Sequence, residues 1–335
     1  MNSLSRWALP VSKRINLFLR RFRRLPAKYW GILASLFGLA DFLTWSILAD
    51  IEPSQRWLWT LGLAAIALVI TVIVVLRQPA VDEAIAYARS LARMGRAAYN
   101  ARDYPEALRL LEAAVRLDND NLAAVGLLGR VLVCLGRFDE AISLLSRAID
   151  LTQIDTNRHL LLIWRAIAAM YLGRLGSALA DLDNIIKEVP KHTEALRLRA
   201  TVWLLLDRLD NALCDLNAGL KVKPDYLCAH AIKAIVLKRC GNLEGASREL
   251  ARCEALIPED AVDIYHISLA YANLGRTDDA LEMLRAAIQR DPRCAPRAVR
   301  DALFAEIKND PRFIGLVAAN ASNALPAGNS HSGKD

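Results

Sequence analysis

The sequence predicts an all-α protein in which an α-solenoid of about six helix-turn-helix repeats, ended by C-terminal capping helices, follows a transmembrane helical hairpin. Small and apolar residues recur with a spacing of 34 residues through most of the chain, which is typical of stacked helical repeats. Before the repeats, two apolar runs have the length of membrane-spanning helices. The 335 residues are 54% hydrophobic and 24% charged, which excludes both a disordered chain and one embedded in a membrane throughout.

Residues 1–28 form a basic arm. They hold eight Lys and Arg residues and no Asp or Glu, so the net charge of +7 belongs to the arm and the remainder is nearly neutral. Ile15, Phe18 and Phe22 recur between arginines at helical spacing. Two interpretations stay open: an amphipathic helix on anionic headgroups, or charges that only set the membrane topology. Because the charge is confined to this arm, no nucleic-acid partner is expected.

Two apolar runs predict the hairpin. Residues 57–76 carry no charge and are rich in Leu, Ile, Val and Ala, as a transmembrane helix requires. Residues 29–49 are similar but contain Asp41, which costs about 2.5–3.5 kcal/mol in a membrane and is offset by its apolar neighbours. Residues 50–56 are expected to form a short external turn. Asp41 either contacts a polar residue of a partner membrane helix or is tolerated near the packing surface of the hairpin.

The distribution of basic residues predicts the orientation. Eight precede the first run, four more (Arg77, Arg89, Arg93 and Arg96) follow the second, and the turn holds only Arg56. The positive-inside rule then places both termini and the repeats in the cytoplasm. We expect an integral protein of the bacterial plasma (inner) membrane that meets lipids through its two spans and its arm. Since the arginine-rich, acid-free N-terminus resembles a mitochondrial transit sequence, a mitochondrial membrane is the alternative.

The remainder of the chain follows a repeat of fixed register. Six alanines are spaced 34, 37, 34, 34 and 34 residues apart: Ala107, Ala141, Ala178, Ala212, Ala246 and Ala280. A leucine follows each alanine by four residues, and a small residue precedes each by twelve. In a helical hairpin the small residues let two backbones approach, and the leucine fills the space between the helices. A glycine five residues before four of the alanines predicts the turn. One hairpin cannot bury its apolar face alone, so neighbouring hairpins stack into a solenoid.

This register resembles the tetratricopeptide repeat (TPR) family, whose signature has a small residue at position 8, Ala at 20, an apolar or aromatic residue at 24 and Pro at 32. The resemblance covers residues 88–294 and implies a right-handed solenoid. Six repeats fit, beginning near Ala88, Leu122, His159, Thr193, Leu227 and Ala261. Three extra residues are expected to loosen the turn around Thr152–Asn157.

The segments around the repeats complete the predicted domain organisation. Residues 77–87 are expected to be a linker. Residues 295–320 are expected to form capping helices, the first of them over 295–308, because the last repeat would otherwise expose an apolar face. Residues 321–335 are small and polar and are expected to be disordered.

No motif in the sequence indicates catalysis, a metal or a cofactor. The six cysteines form no C-x-x-C pair, and no phosphate-binding glycine loop or nucleophile elbow is present, so we predict a protein that is not an enzyme. Cys240 and Cys253 occupy apolar repeat positions and are expected to be buried free thiols. His230 stands where other repeats have Leu, Val or Ile, which favours a hydrogen-bonded core histidine over a metal ligand.

The expected ligand is a protein. In TPR proteins the first helices of the repeats usually line a concave groove that binds a peptide or a partner helix. By resemblance, ten residues would face it: Arg89, Arg96, Tyr99, Arg130, Ile163, Arg197, Lys238, Arg239, Tyr265 and Asn273. Apolar and cationic groups together suit a segment with acidic residues, although these arginines could also be ordinary solvated residues.

Taken together, these features predict a membrane-anchored TPR scaffold or adaptor that binds protein partners at the cytoplasmic face of a membrane. The alternative is an accessory subunit of a membrane transport or envelope-assembly complex, held there through its hairpin.

Overall fold

The computed structural model describes residues 83–152, 155–256, 258 and 260–321, together with positions 62, 66 and 69. The basic arm, Asp41, nearly all of the two predicted spans and residues 322–335 therefore lie outside the described residues. Among those that are described, no helix has both the length and the apolar character needed to cross a membrane. The chain divides into two compact units, Met1–Ala86 and Tyr87–Asp335, and the architecture below is that of residues 83–321.

Among the described residues from 83 to 321 there are fourteen α-helices and no strands. The first, α1, covers residues 83–100. The others are α2 (Tyr104–Leu117), α3 (Leu122–Cys134), α4 (Phe138–Leu151), α5 (Asp155–Tyr171), α6 (Leu175–Glu188), α7 (Thr193–Leu205), α8 (Leu209–Val222), α9 (Leu227–Arg239), α10 (Leu243–Ala255), α11 (Ala261–Asn273), α12 (Thr277–Arg290), α13 (Cys294–Arg300) and α14 (Pro311–Ala321). The first twelve pair as six antiparallel hairpins, and the all-α solenoid predicted from the repeat is confirmed.

The regular spacing of the repeats positions the residues that pack each hairpin. All six register alanines are fully buried, and the leucines four residues later are at most 3% exposed. The small residue of the first helix lies against that leucine: a Cβ placed on Gly129 would stand 2.7 Å from Leu145 Cγ, and one on Gly95 would stand 2.7 Å from Leu111 Cγ. The close approach of the two backbones therefore depends on the small residue.

Each hairpin turn contains one residue with positive φ. Four repeats place a glycine there, with φ between 69° and 79°. In the first and fourth repeats, Arg102 (φ 65°) and Asp207 (φ 57°) adopt the same left-handed conformation. The turn geometry is thus preserved where the glycine is absent, at a cost of about 1–2 kcal/mol for a residue with a Cβ.

The extra residues before the third repeat lengthen a helix. The expectation of a loosened turn around Thr152–Asn157 is wrong from Asp155 onward, because α5 already begins there. This helix has 17 residues, whereas α3 and α7 have 13 each. Helical hydrogen bonding uses the backbone groups of the insertion more fully than an open turn would.

Buried ion pairs join the two helices of repeats three to five. Arg165 donates two hydrogen bonds to Asp181, at 2.8 and 2.6 Å. The equivalent residues are Arg199 and Asp215 in the fourth repeat, and Lys233 and Glu249 in the fifth. Each acid is at most 8% exposed. The remaining repeats carry apolar residues at both positions: Met94 and Leu110, Leu128 and Leu144, and Ile267 and Met283.

Residues 291–321, here called the capping segment, follow the sixth repeat. They depart from the expected helix over 295–308. Helix α13 ends at Arg300, and Asp301 accepts a hydrogen bond from the backbone N–H of Leu303 to start a 3-10 helix, Ala302–Phe304. Phe304 and Phe313 bury their rings against each other and close the apolar core of the sixth repeat. An aspartate that caps a new turn competes with continuation of the helix, which explains the break.

Candidate functional site

A cavity of about 480 Å³ lies between the first helices of the repeats and the capping segment. Helices α3, α5, α7, α9 and α11 contribute its inner wall, and residues 291–303 contribute the opposite wall. Most of the lining is apolar, with Ile163, Ile167, Met170 and Leu198 among it. The cavity therefore lies between two parts of the chain that are far apart in sequence.

Helix α13 is held against the early repeats by arginines. Arg293 Nη1 lies 3.0 Å from Cys134 Sγ, and its guanidinium stacks 4.5 Å from the centroid of the Tyr104 ring. Arg297 donates from Nε to the hydroxyl of Tyr171, at 2.7 Å. Further out, the guanidinium of Arg300 lies over the ring of Phe138. The capping segment thus crosses the first-helix surface, by which we mean the surface formed by α1, α3, α5, α7, α9 and α11.

A network of polar side chains stabilises the wall formed by α7 and α11. Arg197 pairs with Glu194 at 2.7 Å and donates from Nη1 to Nε2 of His266. Nδ1 of His266 donates to the carbonyl of Val262, at 2.7 Å, and Cys228 Sγ lies 2.9 Å from a carboxylate oxygen of Asp263. Every polar group in this network has a partner.

Burial and charge fix the protonation states of this network. Burial alone would raise the pKa of Glu194, but the charge and hydrogen bonds of Arg197 and the hydroxyl of Tyr226 outweigh it and lower that pKa to about 2. Burial, reinforced by the positive charges of Arg197 and Arg297, lowers the pKa of His266 well below its usual value. Burial also raises the pKa of the Cys228 thiol. A neutral thiol beside an imidazole that already accepts a hydrogen bond is a structural arrangement and not an activated nucleophile.

Three guanidinium groups of the cavity, those of Arg130, Arg297 and the more exposed Arg300, form no ion pair with a carboxylate of the described residues. Arg130 stacks between the rings of Tyr99 (4.8 Å) and Trp164 (5.2 Å) and donates one hydrogen bond, from Nη2 to the Tyr99 hydroxyl. Its Nε is buried and has no hydrogen-bond partner. Arg297 makes only the bond to Tyr171 and a stacking contact with Tyr265, at 4.1 Å. By contrast, Arg197 and Arg293 each bind a carboxylate.

The structure brings three of the ten predicted groove residues to the cavity. They are Arg130, Ile163 and Arg197, from the first helices of repeats two, three and four. Tyr99 supports Arg130 through the hydrogen bond and the stacking contact described above.

Three other predicted residues bind the capping segment. Lys238 pairs with Glu306 at 2.9 Å, and the hydroxyl of Tyr265 donates to Asp301 at 2.9 Å. Asn273 donates from Nδ2 to the carbonyl of Leu303, at 2.7 Å. The last two repeats therefore use their inner surface to hold residues 301–306 of the same chain.

The remaining predicted residues lie away from the cavity. Arg89 and Arg96 are exposed on α1. Arg239 donates to the carbonyl of Leu204, at the end of α7. A role of the ten residues in partner binding stays a prediction.

The predictions for Cys240, Cys253 and His230 have different outcomes. Cys253 is buried, but Cys240 is exposed, so the expectation of a buried thiol there is wrong. Cys240 is the C-terminal cap of α9, where the helix ends and its side chain leaves the packed face. His230 is buried and satisfied, since Nδ1 lies 2.6 Å from Glu249 and Nε2 lies 2.7 Å from the Pro224 carbonyl oxygen. In the described part of the chain, no group of three or more His, Cys, Asp or Glu side chains could hold a metal ion.

Sequence reasoning missed the arginines of α13 and the aromatic residues that receive them. Three arginines recur at 293, 297 and 300, which places the first at the N-cap of one short helix and the other two inside it. A capping helix that only covered an apolar core would not need them, so their spacing was the available signal.

Comparison with known families defines the class of this fold. Residues 98–162 and 165–225 each match a family described as tetratricopeptide repeat, and residues 197–307 match the psidin N-terminal TPR repeats region. The chain therefore contains tetratricopeptide repeats, and the resemblance predicted from the 34-residue register is confirmed for these residues.

Several solved structures are similar to this chain. A TPR protein from Parabacteroides merdae is 21% identical, with a TM-score of 0.47, over 71% of this chain and 92% of that one. MamA from Desulfovibrio magneticus is 15% identical, with a TM-score of 0.45, over 51% and 94%. YrrB, described as a TPR protein with an unusual peptide-binding site, is 19% identical, with a TM-score of 0.43, over 56% and 95%. No curated protein matches the chain at a significant level.

Proposed function

We propose that this protein is a membrane-anchored TPR scaffold that binds partner proteins at the cytoplasmic face of a membrane. The observation that carries the proposal is the combination of a TPR solenoid with two apolar runs and a basic arm that precede it. A solenoid with a long first-helix surface suits binding of extended or helical segments. The flanking charges support an orientation with the repeats in the cytoplasm, at a bacterial inner membrane or, alternatively, a mitochondrial one.

Membrane anchoring is tested by extraction with alkaline carbonate. The full chain is expected to stay in the membrane pellet, because two spans insert into hydrocarbon and basic residues alone would release at high pH and high salt. Release into the supernatant would contradict the anchor.

Orientation is tested with a membrane-impermeant maleimide. Cys214 and Cys240 are the suitable targets because both thiols are exposed on the solenoid. In intact spheroplasts both are expected to resist labelling, and after permeabilisation both are expected to react. Labelling of either residue in intact spheroplasts would reverse the proposed orientation.

Partner binding is tested by in-cell crosslinking followed by purification in mild detergent. The charge reversals Arg89→Glu and Arg96→Glu, both on the exposed part of α1, are expected to weaken the capture of partners with acidic segments. Arg116→Glu and Arg285→Glu are the matched control, since these arginines are exposed on the second helices α2 and α12. Equal loss of crosslinks in both pairs would show that the first-helix surface has no special role.

Asp41 favours a second candidate, an accessory subunit of a membrane transport or envelope-assembly complex whose hairpin binds partner helices. Replacement of residues 29–76 by an unrelated two-span anchor distinguishes the two functions. A scaffold should keep its crosslinks after this replacement, whereas a subunit held through the hairpin should lose them.

A further inference from the structure

The cavity behind α13 has the dimensions of a small-molecule site. Its volume of about 480 Å³ lies within the range typical of ligand pockets, about 300–1,000 Å³. At about 30 Å³ for each non-hydrogen atom, it accommodates about 16 such atoms. Because α13 crosses the first-helix surface, this space is bounded on the side where a long peptide or helix would enter. A small molecule therefore fits this space better than a long peptide or helix does.

The walls are suited to an apolar body. Along α5, Ile163 and Ile167 line the cavity at successive turns, and Tyr171 closes that side one turn later. Leu198 and Leu205 face the same space from α7. A chain of methylene groups laid along α5 would bury its surface against these residues, at a gain of about 0.8 kcal/mol for each CH₂.

The charges indicate an anionic end. Five arginines and three carboxylates line the cavity, so its wall is net positive while His266 is neutral. Arg297 carries two η nitrogens that donate no hydrogen bond within the described part of the chain, since its single bond comes from Nε. Asp301 is close enough to interact with Arg297 electrostatically but accepts no hydrogen bond from it. A guanidinium that is partly withdrawn from water and donates to no carboxylate is costly, and a carboxylate satisfies both η nitrogens at once.

We propose that this cavity binds a small amphiphilic monocarboxylate, with its carboxylate on Arg297 and its aliphatic body along α5. Arg130, on the opposite wall, adds positive potential to the site without binding the carboxylate directly. Dodecanoate, with about 14 non-hydrogen atoms, is of the required size. This proposal goes beyond the scaffold function and does not depend on it, because it concerns a small ligand behind α13 and not a protein at the exposed part of α1.

The experiment measures retention of radiolabelled dodecanoate by the full chain in detergent micelles, captured on beads. Unlabelled dodecanoate, 1-dodecanol and dodecylamine then compete for the site. All three competitors enter micelles, so differences between them report the headgroup. Dodecanoate is expected to displace the label at a concentration about 10-fold or more below that of the alcohol or the amine, because only it forms a charge-assisted pair. Equal displacement by all three would overturn the proposal.

Variants locate the carboxylate and the tail. Arg297→Met is expected to weaken dodecanoate retention about 10-fold or more, and Arg297→Lys less than that. Tyr171→Phe removes the hydroxyl partner of Arg297 but keeps the guanidinium, so it separates loss of charge from loosening of α13. Ile167→Trp fills the cavity and should abolish retention. The control is Arg290→Met, on the exposed end of α12. Unchanged retention in Arg297→Met and Ile167→Trp, with the fold verified by circular dichroism, would refute the site.

Discussion

The buried ion pair of the third repeat gives the sharpest test of how the hairpins are stabilised. Replacing Asp181 by Ala would leave the guanidinium of Arg165 without its two hydrogen bonds, in a site where the acid is 7% exposed and the arginine 25% exposed. Loss of one partner of a fully buried pair costs about 3–5 kcal/mol. Since Arg165 retains a quarter of its exposure and a bond to Ser146 at 2.9 Å, we expect a smaller loss, about 2–3 kcal/mol.

The chain itself supplies the compensating double variant. The second repeat carries Leu128 and Leu144 at the positions of Arg165 and Asp181. Changing both residues to leucine should therefore restore most of the stability, because a well-packed apolar pair replaces the ions without leaving either one unpaired. Glu140→Ala is the matched control: it breaks the exposed pair with Arg137 and should cost less than about 1 kcal/mol.

Thermal unfolding of the full chain, followed by circular dichroism, measures these changes. In a unit of this size, a loss of 1 kcal/mol in the free energy of unfolding lowers Tm by about 2–4 °C. Asp181→Ala should therefore lower Tm by about 4–12 °C. Hydrogen exchange should place the loosened region in α5 and α6, because a repeat contacts mainly its neighbours. A Leu–Leu double variant as unstable as Asp181→Ala, or a single variant that unfolds like the wild type, would refute the reasoning.

Three further predictions use the same assay. Asp207→Gly should raise the free energy of unfolding by about 0.5–1 kcal/mol. Glycine removes the strain of the left-handed conformation, and its larger loss of entropy on folding offsets only part of that gain. A lower Tm would contradict this. Leu145→Ala, at a fully buried position, should cost about 2–5 kcal/mol, whereas the exposed Leu243→Ala should cost far less. Burial alone would raise the pKa of Glu249, but hydrogen bonds from His230 and Lys233 lower it to about 2. Its stabilisation should therefore be complete above pH 4.5 and decline as the pH falls toward 2, and Glu249→Gln should reduce that decline.

The repeat was readable from sequence because its packing uses a few positions that admit only small residues or leucine. A Cβ on Gly129 would lie 2.7 Å from Leu145 Cγ, so this position admits only a small residue, and every repeat has one there. The ion pair of Arg165 and Asp181 gives a weaker signal in the sequence, because only three repeats carry an ion pair at these positions and the other three pack apolar residues there. Sequence spacing alone does not distinguish these two ways of filling the same space.

The capping segment was harder to predict for a different reason. Its helix stops at Arg300 because Asp301 caps a new turn, and a short helix shows little periodicity. More importantly, Arg293 and Arg297 contact residues more than 120 positions earlier in the chain, Cys134 and Tyr171. Such contacts follow from the curvature of the stacked repeats, which no single repeat encodes. The cavity is consequently a property of the assembled solenoid.

The position of the capping segment separates the two proposed binding regions. Tyr265 and Asn273 are engaged by residues 301–303, so a protein partner that used them would have to displace this segment. Arg89 and Arg96 on α1 remain exposed and need no such displacement. Charge reversal on α1 should therefore weaken protein crosslinks and leave dodecanoate retention unchanged. Arg297→Met should weaken dodecanoate retention and leave the protein crosslinks unchanged. Joint loss of both activities in either variant would instead indicate one continuous site that α13 opens and closes.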